Sequence, residues 1–76
     1  MGDFGSVSWR RFEKFVFQHG CRHVRTNGDH RIYVKNGLNR PLVIPQYNPL
    51  PIFIILNNLR VLGVTKKELK RFLQNE

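Results

Sequence analysis

The chain has 76 residues with 13 Lys or Arg against five Asp or Glu, and its formal net charge is +8. A chain this short forms one domain and buries only about 60% of its unfolded surface, which excludes a large cofactor cavity and favours a surface site. The positive charge favours a polyanion or an acidic protein as partner, with a well-solvated basic surface as the alternative.

Cysteine usage and hydropathy exclude further classes. Cys21 is the single cysteine, so no internal disulfide forms, and no apolar run reaches the roughly 20 residues of a membrane helix. We expect a cytoplasmic protein with no metal, no small-molecule cofactor and no membrane partner. Residues 1–7 lack the features of a signal peptide and are predicted to be a disordered lead-in to a single domain over residues 8–74.

The first predicted element is a helix that begins at Ser8 and ends before Gly20. Apolar residues recur in it at helical spacing, namely Trp9, Phe12, Phe15 and Val16. We expect this aromatic stripe to pack against a sheet rather than to stack on bases.

Three strands follow, over residues 21–26, 30–35 and 42–44, because these stretches are rich in β-branched residues. Two Asn-Gly pairs, Asn27-Gly28 and Asn36-Gly37, separate them and predict a three-stranded antiparallel meander. The length of the second connection, and with it the register of the third strand, stays open.

A two-residue loop at Asn27-Gly28 would place Arg25 directly opposite His30 and divide the side chains between two faces. The more apolar face is predicted to lie under the helices, and it carries Cys21, His23, Arg25, His30, Ile32 and Val34. The open face is predicted to carry Arg22, Val24, Thr26, Asp29, Arg31, Tyr33 and Lys35.

Two helices complete the chain. Residues 52–62 show an apolar i, i+3, i+4, i+7 pattern that ends at Gly63, and Thr65 with Glu68 has the spacing of a capping box for a short basic helix. The order helix, three strands, two helices predicts an α+β fold with its helices on one face of the sheet. The last two helices are also typical of a helix-turn-helix, so a DNA-binding module is one alternative.

The candidate chemistry lies at the first hairpin. A neutral His30 can act as a general base near pH 7, and the guanidinium of Arg25 can bind phosphate. Together they suit metal-independent RNA cleavage, in which the base removes the 2′-hydroxyl proton and cations stabilise charge on the phosphoryl oxygens. The alternative is a His30 that only begins a strand and bonds a turn carbonyl.

Other polar residues have two or more possible roles. Asp29 either stabilises the turn or orients the imidazole, and strict alternation favours the turn role because it sends the carboxylate to the opposite face. The basic residues of the open face, with one aromatic, suit an RNA backbone track, a docking face for an acidic protein or a solvated surface: Arg22, Arg31, Tyr33 and Lys35. A zinc site at His19, Cys21 and His23 is rejected because a matching second ligand pair is missing.

The element order, with Gly28-Asp29-His30 between two strands, Ile44-Pro45 and the segment 62–69, resembles the HicA toxin family of mRNA interferases. The resemblance implies a fold like a double-stranded-RNA-binding domain, endonucleolytic cleavage of mRNA and a HicB antitoxin partner that masks the active site. The family's Gly-Ser-His motif maps onto Gly28, Asp29 and His30, which implies a catalytic His30 and a turn role for Gly28. Asp29 departs from the usual serine, and Gln46-Tyr47 stands where a histidine is common.

The sequence therefore predicts a toxin endoribonuclease that cleaves mRNA without a metal. His30 is the predicted general acid/base, and Arg25 with the basic open face is predicted to hold the RNA backbone. A non-catalytic RNA-binding module of the same fold is the alternative, since Asp29 and Tyr47 depart from the family pattern.

Overall fold

A computed structural model describes residues 5–75 of the chain. Its elements are, in order, α1 (Trp9–Gln18), β1 (Arg22–Asn27), β2 (His30–Val34), β3 (Leu42–Pro45), α2 (Ile52–Leu62) and α3 (Lys66–Asn75). The strands form one antiparallel sheet in the order β1-β2-β3. The predicted α+β fold is confirmed. Within residues 5–75, no helix combines the length and the apolar character needed to span a membrane.

The helix ends follow the local signals in the sequence. The Ser8 hydroxyl accepts a hydrogen bond from the backbone amide of Arg11 (3.2 Å) at the start of α1. Thr65 and Glu68 form the predicted capping box: each side chain accepts a hydrogen bond from the other residue's backbone amide. Gly63 ends α2 in the left-handed conformation, with a φ of 80°.

Val7, a residue of the predicted lead-in, is packed against the rest of the described chain. Residues 1–4 of the predicted lead-in lie outside the described residues. Val7 is buried, and its carbonyl accepts a hydrogen bond from the backbone amide of Leu50 (2.8 Å). Val7 therefore belongs to the packed domain, held by the segment that connects β3 to α2.

The helices cover the face of the sheet that carries Tyr33, Leu42 and Ile44, all of them fully buried. The helices contribute most of the remaining core, including Phe12, Phe15, Val16, Ile55, Leu59, Leu62 and Leu69. The predicted position of His30, Ile32 and Val34 on the covered face is wrong. Ile32 lies on the opposite face of the sheet, where it is buried at 7% exposure but does not belong to the core cluster.

A shared carboxylate on α1 explains which face is covered. Glu13 Oε2 accepts hydrogen bonds from the Arg31 guanidinium (2.8 and 2.9 Å) and from the Tyr33 hydroxyl (2.5 Å). The Arg31 guanidinium also lies 5.2 Å from the centre of the Trp9 ring. These contacts satisfy the polar groups of Arg31 and Tyr33, whose apolar parts pack under α1. Neither side chain therefore buries an unpaired polar group, which would cost free energy.

A β-bulge in β1 moves side chains between the two faces. The register changes between His23, which pairs with Tyr33, and Arg25, which pairs with Ile32. His23 therefore lies on the covered face, where its ring centre is 5.6 Å from that of Tyr33. Arg22 and Arg25, one on each side of the bulge, both lie on the open face. The predicted faces of His23 and Arg22 are thus confirmed. Arg25 was predicted on the covered face, and this is wrong, because the bulge moves it to the open face.

We expect Tyr33→Phe to lower the free energy of unfolding by about 1 kcal/mol, because a buried hydrogen bond to Glu13 is lost while that carboxylate keeps Arg31. Burial, and then the hydrogen bond to Glu13, raise the pKa of the Tyr33 phenol above its usual value of 10.0. The unfolded chain loses this proton first, so wild-type stability falls as the pH rises above 10, and Tyr33→Phe removes that part of the loss. Urea denaturation below and above this pH, followed by Trp9 fluorescence, measures both effects.

Tyr47→Phe is the matched control, because the Tyr47 side chain is exposed and no hydrogen bond to its hydroxyl occurs among the described residues. It should leave the unfolding free energy within the error of the wild-type value. Equal stability of the two variants at every pH would show that the phenol of Tyr33 is not held by Glu13.

Candidate active site

The turn between β1 and β2 consists of Gly28 and Asp29, since Asn27 and His30 form the last pair of the ladder. The predicted loop at Asn27-Gly28 is therefore displaced by one residue. Gly28 has a φ of 60°, and no non-glycine residue of the described chain has a positive φ. This combination is typical of a type II′ turn, which needs glycine at its first central position.

His30 begins β2 on the open face, and 49% of its side chain is exposed. Across the ladder it pairs with Asn27 on one side and Pro45 on the other, so the prediction that Arg25 lies directly opposite is wrong. Arg25 pairs with Ile32 instead and is therefore a diagonal neighbour of His30 on the same face. Long side chains reach across such a diagonal. The guanidinium and the imidazole thus share the face of the sheet opposite Tyr33 and Leu42.

The carboxylate of Asp29 contacts the imidazole of His30. Its Oδ1 lies 2.8 Å from Nδ1 of the ring. Because Asp29 belongs to the turn and not to a strand, the alternation that would send its side chain to the opposite face does not apply. Asp29 therefore contacts His30 in addition to forming the turn, the role that the sequence favours. With Nδ1–H donating to the carboxylate, the neutral ring presents Nε2 as its acceptor.

The main chain of Asp29 is also held in place. Its carbonyl accepts a hydrogen bond from the backbone amide of Gln46 (2.7 Å), directly after β3. This bond joins the turn to the end of the neighbouring strand. The residue that contacts His30 is consequently joined to two strands of the sheet.

A cleft of about 550 Å³ lies between this part of the sheet and α2. The sheet contributes His30, Val43 and Pro45, and α2 contributes Phe53, Ile54, Leu56, Asn57, Asn58 and Arg60. Its walls are mostly apolar with a few polar groups, the usual composition of a ligand-binding cleft. His30 therefore lies at the edge of a concave site rather than on a flat surface.

Asn58 sets the distance between α2 and the sheet at this cleft. It is the buried polar residue of α2, and its Nδ2 donates a hydrogen bond to the carbonyl of Val43 (3.0 Å) on the edge strand β3. The predicted apolar stripe of α2 included Ile52, which is exposed. The helix is turned so that Asn58 meets the sheet and Phe53 faces the cleft.

Sequence reasoning did not identify the residues that α2 brings to the site, Phe53, Asn57 and Arg60. Their spacing of four and then three residues places them along one side of a helix. A signal was therefore present. The predicted stripe is buried at Ile55, Leu59 and Leu62, but an apolar stripe does not show what the other side of the helix faces. The stripe comprised Ile52, Ile55, Leu56, Leu59 and Leu62.

The predicted basic track on the open face is partly wrong. Tyr33 is buried, and Arg31 is bound to Glu13 under α1, so neither side chain reaches a ligand on the open face. Arg22 is exposed on that face, as predicted. Lys35 follows the last residue of β2 and lies beside Gly20, at the end of the sheet away from His30.

His19, Cys21 and His23 make contacts within the fold and lie outside the candidate site. Burial raises the pKa of the Cys21 thiol. His23 Nε2 lies 2.8 Å from the Thr26 hydroxyl, and the His19 ring centre lies 4.6 Å from that of Phe15. Across residues 5–75, no three His, Cys, Asp or Glu side chains form a group able to hold a metal ion.

Comparison with known proteins places the site within a family. A family model described as HicA toxin of bacterial toxin-antitoxin matches residues 9–64. The match runs from the start of α1 past the end of α2 and includes the Gly28-Asp29-His30 turn and every residue that lines the cleft. No curated protein and no solved structure matches the chain significantly.

We expect the neutral imidazole of His30 to carry its proton on Nδ1, because Asp29 accepts it there. Long-range ¹H–¹⁵N correlation spectra distinguish the two tautomers of each histidine. In Asp29→Ala the His30 ring should change to a mixture rich in the Nε2–H form, while the spectra of His19 and His23 stay unchanged. A wild-type His30 that is already mainly Nε2–H would contradict the orienting role of Asp29.

Proposed function

The chain belongs to the HicA toxin family, and we propose that it cleaves mRNA without a metal ion, using His30 as its acid–base group. Toxins of this family are in general ribonucleases. The proposal rests above all on the contact between Asp29 and Nδ1 of His30 at the edge of the cleft, because it leaves Nε2 to act on a substrate.

The surroundings of His30 suit a general base. A catalytic base must lie within hydrogen-bond reach of the proton that it removes, and its orientation is commonly set by a third group. The imidazole is half exposed, so the 2′-hydroxyl of a bound RNA strand can approach Nε2 directly. Asp29 supplies the orienting carboxylate.

Two arginines are placed to bind phosphate near His30. Arg60 lines the same cleft, and Arg25 lies on the same face of the sheet. A guanidinium offers a fork of donors that matches phosphate oxygens and stabilises the charge that grows on them during attack. Arg22 extends this positive face further along β1. Arg31, Tyr33 and Lys35 have no part in the proposed site.

The proposed step is an internal transesterification. Nε2 of His30 takes the 2′-hydroxyl proton, the 2′-oxygen forms a bond to the adjacent phosphorus, and the bond from phosphorus to the 5′-oxygen breaks. The 5′-oxygen takes a proton from water and leaves as a hydroxyl, and the imidazolium returns its proton to solvent. The products are a 2′,3′-cyclic phosphate end and a 5′-hydroxyl end. The nucleophile belongs to the RNA, so an imidazole base and guanidinium cations suffice.

We further propose a HicB-type antitoxin as the partner, since toxins of this family act in toxin–antitoxin pairs. The net charge of +8 favours an acidic protein. Coverage of the open face would block His30 and Arg25 together, because both lie there.

The alternatives to catalysis gain less support. The departure of Asp29 from the family's serine suggested a module that binds RNA without cleaving it, but this carboxylate contacts the catalytic candidate directly. The DNA-binding alternative relied on α2 and α3 together. No residue of α3 lines the cleft, and α3 packs on α1 through the rings of Phe72 and Phe15.

We expect His30→Ala to reduce the rate of RNA cleavage by about 10²-fold or more, which is the usual contribution of a general base. The denaturation midpoint should barely change, because the side chain is half exposed. His23→Ala is the matched control, since it also removes an imidazole from the sheet, but on the covered face. Gel analysis of an end-labelled RNA measures the rates, and undiminished cleavage by His30→Ala would overturn the proposal.

The ends of the products test the reaction itself. We expect 2′,3′-cyclic phosphate and 5′-hydroxyl ends by mass spectrometry, and an unchanged rate in excess EDTA. A substrate with one deoxyribose at the cleaved position should resist cutting there, because the nucleophile is missing. Loss of activity in EDTA, or cleavage at the deoxyribose, would contradict the mechanism.

A further inference from the structure

Phe53 is the most exposed large apolar side chain of the described residues, at 68%. It lies in the first turn of α2 and makes no ring contact with another described aromatic residue. The fold gains little from an aromatic ring at this position, since most of its surface stays in water. Its ring faces the cleft that also contains His30.

Asn57 and Arg60 continue the same side of α2. The rise along a helix places Asn57 about 6 Å beyond Phe53, and Arg60 about 10 Å beyond it. All three line the cleft across from His30. An aromatic ring, an amide and a guanidinium therefore follow one another along the wall that faces the proposed catalytic group.

The neighbouring amide, Asn58, is not available to a ligand in the same way. Its Nδ2 is bound to the carbonyl of Val43, and its side chain is buried. Asn57 is exposed and has no hydrogen bond to its side chain within the described part of the chain. Of two adjacent amides, one thus holds the helix against the sheet, and the other points its donor and acceptor groups outward.

These three groups match the three parts of a nucleotide. Exposed aromatic rings bind single-stranded nucleic acid by stacking on bases, side-chain amides read the hydrogen-bonding edges of bases, and guanidinium groups bind phosphate. We propose that Phe53 and Asn57 form a base-binding subsite next to the cleaved bond. The base lies on the ring of Phe53 and bonds through its edge with Asn57, while Arg60 binds the adjoining phosphate.

This subsite rests on the proposed ribonuclease function and adds a substrate class and a specificity-determining residue to it. A base that lies on Phe53 must leave its own stack, so the substrate is single-stranded RNA, and a duplex is a poor ligand. A protein partner is less consistent as the occupant of this wall, because the same cleft contains His30 and must admit the RNA that is cleaved. Asn57 should make binding depend on the identity of one base.

Binding without cleavage gives the sharpest test. In a His30→Ala background, addition of Phe53→Ala should weaken the binding of a single-stranded RNA oligonucleotide about tenfold, the effect expected for one lost stacking contact. Phe53→Trp should restore the affinity. The dependence of binding on salt should stay unchanged, since no charge is removed. Fluorescence anisotropy at several salt concentrations measures each quantity.

Phe17→Ala is the matched control, because Phe17 is also an exposed phenylalanine, at 44%, but lines a different groove between α1 and α3. It should leave RNA affinity unchanged. Equal affinities of the Phe53→Ala and Phe17→Ala proteins would overturn the subsite. So would a Phe53→Ala protein that keeps its RNA affinity and loses only the binding of an acidic antitoxin, since this would make Phe53 a protein-docking residue.

Asn57→Ala tests the reading of the base. Wild-type protein should prefer one base at a single position of a randomised oligonucleotide, and the variant should lose that preference while still binding single strands. A uniform loss of affinity with the preference intact would overturn the role of Asn57. These binding measurements are independent of catalysis. A wild-type protein that binds RNA through Phe53 but never cleaves it would contradict the proposed function and leave the subsite standing.

Discussion

Glu13 on α1 accepts hydrogen bonds from both Arg31 and Tyr33, and this shared carboxylate ties the helix to the odd-numbered side chains of β2. Because side chains alternate along a strand, the even-numbered positions, with His30 among them, must then lie on the other face of the sheet. If Tyr33 pointed outward, His30 would lie beneath the helices, out of reach of a polynucleotide. The accessibility of the proposed catalytic group thus follows from a hydrogen-bonded cluster on the opposite face.

Two further sets of contacts shape the surroundings of His30. The turn at Gly28 and Asp29 brings a carboxylate to Nδ1 of the imidazole, and the backbone bond from Gln46 holds that turn against β3. Asn58 holds α2 beside the same strand, which leaves a cleft rather than an open sheet. The proposed acid–base group, the carboxylate beside it and the proposed phosphate-binding arginines therefore come from several elements of the fold.

Local signals in the sequence were sufficient for the order of elements and for the helix ends, since Ser8, Gly63 and the Thr65–Glu68 box act within one turn of the chain. The faces of the sheet were not predictable in this way. The ion pair between Glu13 and Arg31 joins residues 18 positions apart, and no periodicity reports it. The displaced turn and the bulge in β1 each change the register by one residue, which is enough to exchange faces. On α2, the apolar periodicity correctly predicted burial of Ile55, Leu59 and Leu62, but it gave no sign that Asn58 would be buried against the sheet and Ile52 exposed.

The proposed chemistry depends most directly on an imidazole of His30 that is open to solvent and is covered when RNA binds. Mass-spectrometric mapping of histidine modification by diethyl pyrocarbonate measures this for each ring. We predict that His30 is modified rapidly, that modification and loss of RNA cleavage proceed together, and that a single-stranded RNA blocked by deoxyribose at the cleaved position protects it. A His30 that resists the reagent in the folded protein, or that is modified equally fast with and without bound RNA, would contradict the account.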